Sequence, residues 1–144
     1  MQEQPQIPKF VSIVAIVLGC LDLVRGFMHT IVLELAATSI AGLDLSGPAG
    51  ADLVVLMGSF GISNYITGTM LILLGWKSRP LALAMLAVIP LSYAIGAISV
   101  RAHAVAHTAS QANWGGAPMM AGYMVVCVVT FVTGIWISSS GARA

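Results

Sequence analysis

The stretch FVSIVAIVLGCLDLVRGFMHTIVLEL, residues Phe10–Leu35, reads as a membrane span that carries its own polar stripe. It exceeds the roughly 20 apolar residues needed to cross a ~30 Å hydrocarbon layer. Yet Asp22, Arg25 and His29 stand within it at i, i+3 and i+7, and helical spacing puts all three on one face. Ionisable groups at membrane depth are rare and as a rule face a protein interior or a wet cavity. The stripe therefore marks a candidate functional face and demands neighbouring helices to cover it.

Composition points the same way. Of 144 residues, 58% are hydrophobic and 8% charged, with mean hydropathy +0.97, against roughly 25% charged residues in a soluble domain. A water-soluble chain of this size buries only about 68–70% of its unfolded surface and could not hide so much apolar area. Three further apolar stretches follow, Asp52–Trp76, Pro80–Val100 and Pro118–Ser138. The expected fold is all-α: an integral membrane four-helix bundle, one four-span domain over residues 1–144, with both termini on one side. Lys9, Lys77, Arg79 and Arg143 fall on that side, and Arg101 with Glu34, Asp44 and Asp52 on the other. By the positive-inside bias the termini are expected in the cytoplasm. A cleaved signal peptide is disfavoured, because the first apolar run is too long and is interrupted by charge.

The inner turn is only Lys77–Pro80, which makes the second and third spans antiparallel neighbours. The outer connections, Ala36–Gly50 and Arg101–Ala117, are longer and richer in Gly, Ser and Asn, so recognition is expected there. Trp114 on the outer side, with Trp76 and Trp136 near the inner ends, fits an interfacial belt. In the second span Gly61, Gly68 and Gly75 recur every seven residues, with Gly58 one turn away, a pattern that lets helix backbones approach closely. The adjoining Ser59, Ser63 and Thr67 are placed for hydrogen bonds between helices. Pro90 in the third span predicts a kink.

Counting about 1.5 Å per residue sets Asp22 and Arg25 near mid-bilayer, level with Asn64, Tyr93 and Cys127. Two readings are open. The pair Asp22–Arg25 either fixes helix register as a buried ion pair, or forms the floor of a ligand cavity in which Asp22, Arg25, His29, Asn64 and Tyr93 bind. The three histidines, His29, His103 and His107, all lie toward the outer side, and His103 and His107 have the i, i+4 spacing of a metal-binding helix face. They are either separate polar histidines or ligands to a transition metal or a haem. The pattern lacks the glutamate of a zinc-protease motif. Cys20 and Cys127 form no CxxC and read as inert thiols. The six Lys and Arg are scattered, which excludes a nucleic-acid footprint. No phosphate-binding glycine loop, nucleophile elbow or retinal-attachment lysine occurs in a suitable place.

The run Gly61-Ile-Ser-Asn-Tyr-Ile-Thr-Gly68, then Leu71-Ile-Leu-Leu-Gly75, the basic turn Lys77-Ser-Arg79 and the apolar Leu81–Leu91 resembles the middle of DoxX-like membrane proteins. The family is one of small four-helix proteins with a glycine-rich second span and a basic turn after it. The resemblance implies a bacterial inner-membrane protein, in some cases tied to oxidoreductase systems, and carries over no catalytic residue. The chain departs from the family where Asn64 and Tyr65 stand in a region that is often acidic.

Three functions are expected to compete. One is an outward-facing intramembrane cavity for an apolar or redox-active ligand, a quinone, haem or lipid, in an accessory subunit of a membrane redox system. Another is a structural subunit whose glycine faces dock onto a larger membrane complex or a copy of itself. The last is a dimeric transporter using Asp22 for proton coupling, which the permanent charge of Arg25 disfavours. In each, the lipid bilayer is a partner.

Overall fold

The structure, a computed structural model, describes residues 6–104 and 115–141. Among these the secondary structure is helical throughout, with four helices long and apolar enough to cross a membrane. They are α1 (Lys9–Thr30), α3 (Gly50–Lys77), α4 (Arg79–Ala104) and α5 (Ala117–Gly141). A single turn α2 (Leu33–Leu35) and a π-helical turn (Ala36–Ile40) lie between α1 and α3.

The expected first span is too long by one turn. Helix α1 ends at Thr30, and Val32 leaves helical geometry at φ −109°, ψ 39°. Thr30, Ile31 and Val32 are three β-branched residues in a row, which weakens the helix there. The Thr30 hydroxyl also turns inward, donating to the Gly26 carbonyl at 2.8 Å and lying 3.1 Å from the Tyr65 hydroxyl. The chain then returns over the end of the bundle as α2 and the π-helical turn, burying Ala36, Ala37 and Ala41 against Met57. Gly42, at φ 69°, takes the left-handed conformation that ends this segment. In the loop beyond it, Asp44 accepts the Ser46 backbone N–H at 2.9 Å and the Ser46 hydroxyl at 2.6 Å, which hold its carboxyl below the usual aspartate range. A lowered folded-state value means the turn is supported while Asp44 is ionised and loses that support as pH falls through it. Amide exchange at Ser46, relative to an unfolded peptide, is expected to speed up below about pH 4; protection that persists in acid would refute this.

The principal contact of the bundle is α1 on α3, and glycine makes it. A Cβ placed on Gly68 would lie 2.6 Å from the Gly19 carbonyl oxygen, and one on Gly19 would lie 2.6 Å from that of Gly68. A Cβ on Gly75 would meet the Ser12 oxygen at 3.0 Å, and one on Gly26 the Tyr65 ring at 2.8 Å. The facing pairs Ser12/Gly75 and Gly19/Gly68 step by seven residues in opposite directions, so the helices are antiparallel; beyond Gly19 the register slips, Gly26 meeting Tyr65 and Gly61 meeting Thr30. In lipid, close packing of this kind replaces hydrophobic exclusion as the force between helices. Gly58, by contrast, has only an ordinary contact with Leu33, and the Ser59 hydroxyl bonds back to the Val55 carbonyl of its own helix at 2.9 Å instead of bridging helices.

Helices α4 and α5 close the half of the bundle nearer the chain termini. Ala82, Leu83, Leu86 and Ile89 of α4 pack with Val11, Ala15 and Leu18 of α1, Leu71 of α3, and Tyr123 and Cys127 of α5. A Cβ on Gly134 would lie 2.8 Å from Leu83, so α4 and α5 also meet at a glycine. Helix α4 continues through Pro90, but every residue from Leu91 to His103 is exposed. Proline removes one backbone hydrogen bond and crowds the carbonyl four residues earlier, and at that point α4 parts from the bundle. Trp76 and Trp136 are exposed near the helix ends that lie with the chain termini, and the Lys77 ammonium is 4.4 Å from the Trp76 ring centre. Trp114, His107 and Arg143 lie outside the described residues.

Candidate functional site

The stripe on α1 is turned inward. Asp22 is 3% exposed, although it sits in an apolar helix, because Gly68 lets the two backbones close around it; a Cβ on Gly68 would lie 3.1 Å from the Asp22 Cβ. One turn along, Arg25 Nη1 donates to Asp22 Oδ1 at 3.1 Å. The second carboxylate oxygen, Oδ2, accepts the Tyr123 hydroxyl from α5 at 2.9 Å. The Arg25 guanidinium carbon lies 6.0 Å from the centre of the Tyr123 ring. A carboxylate that receives one donor on each oxygen, one of them charged, is the form of a buried acid that survives desolvation. Asp22, Arg25 and Tyr123 thus tie α1 to α5 as the glycines tie α1 to α3.

A second polar contact joins α1 to α3. Asn64, 8% exposed between Gly61 and Gly68, places its amide nitrogen 3.2 Å from His29 Nδ1. With the Asn64 amide nitrogen as the donor, Nδ1 accepts, and a neutral ring then carries its proton on Nε2.

Above these groups lies a cavity of about 440 Å³, within the usual 300–1,000 Å³ of small-molecule sites. Its walls come from α1 and α5, with Leu18, Leu21, Val24 and Val126 on the flanks, and its far end is closed by Ala36, Ile40 and Ala41 of the returning segment. Met28, Met57, Met119 and Met120 add flexible thioethers. The polar part of the wall is Arg25, His29 and Tyr123. Leu21, Val24, Met119 and Val126 are each between two-fifths and three-fifths exposed, so the rim faces the surroundings of the bundle with apolar side chains.

The expected residues divide as follows. Asp22, Arg25, His29 and Asn64 share one inward face. Tyr93 does not join them: it is 43% exposed on the half of α4 that leaves the bundle, and Tyr123 takes the place expected for it. Asn64 serves His29 and not the ion pair. His103 is exposed and bound to the Ser99 carbonyl of its own helix through Nδ1 at 2.8 Å. Among the described residues no three His, Cys, Asp or Glu side chains converge for a metal, so His29 and His103 do not form a shared site there; His107 falls outside those residues. Tyr123 had one signal in sequence. It stands four residues from Cys127, on the same face of the last span, and Cys127 is fully buried.

No family model, curated protein or solved structure matches the chain.

Proposed function

We propose that this chain is a small multi-pass protein of a bacterial inner membrane that holds an apolar or redox-active ligand, of the quinone, haem or lipid kind, in the cavity between α1 and α5. The observation that carries the reading is the cavity itself: an apolar chamber of about 440 Å³ at membrane depth whose wall includes one guanidinium, one imidazole and one phenol. Side chains that only fix helix register need no such space beside them. With Lys9, Lys77 and Arg79 at the end bearing both termini, those termini are cytoplasmic and the cavity belongs to the outer leaflet. The resemblance of Gly61–Leu91 to DoxX-like proteins supports an accessory role in a membrane redox system, alongside a larger complex or a further copy of the chain.

Two observations weaken the competing functions. The glycine row of α3 is spent on α1 inside the chain, so it is not available as a docking face. Both oxygens of Asp22 already accept hydrogen bonds, one of them from a permanent cation, so a transported proton would have to displace a charge-assisted bond.

Gly122 provides the test. It lines the cavity on α5, and a Cβ there meets nothing within 4 Å. Gly122→Phe is expected to fill the chamber while gaining roughly 0.3–0.5 kcal/mol of helix propensity. Wild-type protein purified in lipid nanodiscs should carry a ligand detectable by mass spectrometry or absorption, and the folded variant should lose it. Equal content in the two proteins would refute the cavity as its site.

A further inference from the structure

The hydrogen bonds around the cavity define the chemistry of what it accepts. Asp22 is fully engaged, one oxygen by Arg25 and the other by Tyr123, and Tyr123 has given its proton to that bond. Arg25 uses only Nη1. Its Nε is buried away from the cavity with no partner among the described residues, and Nη2, which donates to none of them either, is the N–H group left for the cavity. The Arg25 side chain, 12% exposed, forms part of the cavity wall. His29, fixed by Asn64 on Nδ1, presents Nε2–H. Among the described residues the cavity is thus offered donors from two side chains and no free carboxylate.

Its charge is balanced as well. The guanidinium of Arg25 is always protonated and forms a 3.1 Å ion pair with the Asp22 carboxyl, and such a pair sums to zero. His29 accepts on Nδ1 and is therefore neutral. A bound anion would add an uncompensated charge in apolar surroundings, which is opposed far more strongly than burial of a hydrogen-bonded neutral group.

Building on the ligand-binding reading, we infer that the polar end of the cavity receives a neutral carbonyl carried on an otherwise apolar molecule, through N–H groups of Arg25 and His29, and discriminates against anionic headgroups. A quinone and an ester lipid share this chemistry. Oxygen lone pairs meet the spare donors, and the methionine-lined walls take the hydrocarbon or ring.

The experiment uses the wild-type chain in nanodiscs and four probes: a decyl benzoquinone, methyl dodecanoate, dodecane sulfonate and dodecane. The two carbonyl compounds are expected to bind at least about tenfold more tightly than the sulfonate and the hydrocarbon, the discrimination of one well-made hydrogen bond. Binding by the quinone alone would narrow the class to quinones, and binding by the ester alone to ester lipids; either supports the inference. Sulfonate binding as tight as that of the carbonyl compounds would overturn it and leave the ligand-binding reading standing. So would equal binding of dodecane. If none of the four binds, the ligand-binding reading falls with it. Nitrogen NMR of the His29 imidazole adds an independent check: a proton on Nε2 is expected, and a proton on Nδ1 would remove the second donor and overturn the inference.

Discussion

Gly68→Leu is expected to unfold the protein in detergent under conditions where the wild type is stable. The Cβ alone would sit 2.6 Å from the Gly19 carbonyl oxygen, 3.0 Å from the Leu23 nitrogen and 3.1 Å from the Asp22 Cβ. Two of these three are backbone atoms, so no flexible side chain can yield, and α1 must move away from α3. Overpacking that is relieved by side-chain shifts costs about 1–3 kcal/mol, and here the principal helix contact of the bundle is lost. Displacing α1 also carries Asp22 away from Tyr123. The natural control is Gly122→Leu, whose Cβ enters open space and whose helix propensity improves by up to about 1 kcal/mol. Unfolding by SDS titration should separate the two variants clearly. Coincident transitions for Gly68→Leu and wild type would mean that α1 and α3 do not meet through glycine.

Asp22→Ala has a comparable effect by a different route. It leaves Arg25 as a buried charge without its partner and deprives the Tyr123 hydroxyl of its acceptor. Removing one member of a buried pair costs about 3–5 kcal/mol. Replacing both members by apolar groups of similar size is often neutral or even stabilising. The double variant Asp22→Ala/Arg25→Met is therefore expected to be more stable than Asp22→Ala alone, a non-additivity of at least about 1 kcal/mol in a double-mutant cycle. Additive losses would show that the two side chains act independently. The double variant should nonetheless bind a carbonyl ligand about tenfold more weakly, because the Arg25 donor is gone and only that of His29 remains, and so stability and binding can be told apart in one series.

Much of this arrangement could be read from residue spacing, and the remainder could not for identifiable reasons. Asp22, Arg25 and His29 share a face because helical geometry allows nothing else, and hydrocarbon makes that face turn inward. Asn64 is legible in the same way, since it lies between Gly61 and Gly68 on the row that meets α1. Partners on other helices are harder, because they depend on rotation and tilt that no single helix encodes. Tyr93 and Tyr123 are both aromatic hydroxyls near the right depth. The choice between them is made by Pro90, beyond which α4 leaves the bundle, and by the packing of Cys127 into the core of α5. Helix α1 ends at Thr30, short of the expected Leu35: hydropathy continues smoothly through Ile31–Leu35, whereas the β-branched run and the Thr30 hydroxyl stop the helix. Gly19 and Gly26 on α1 show the same seven-residue step as the glycines of α3, but only Gly19 faces one of them, Gly68, because Gly26 takes the Tyr65 ring instead.

The half-exposed rim of Leu21, Val24, Met119 and Val126 has a consequence for how affinity should be expressed. A molecule reaching the chamber across such a rim comes from the acyl phase, where an apolar compound is already concentrated by its partition coefficient. Occupancy then follows the mole fraction of ligand in lipid, and the same protein will display different aqueous dissociation constants at different lipid-to-protein ratios. Modest intrinsic binding suffices for a full site, since the bilayer has done the gathering.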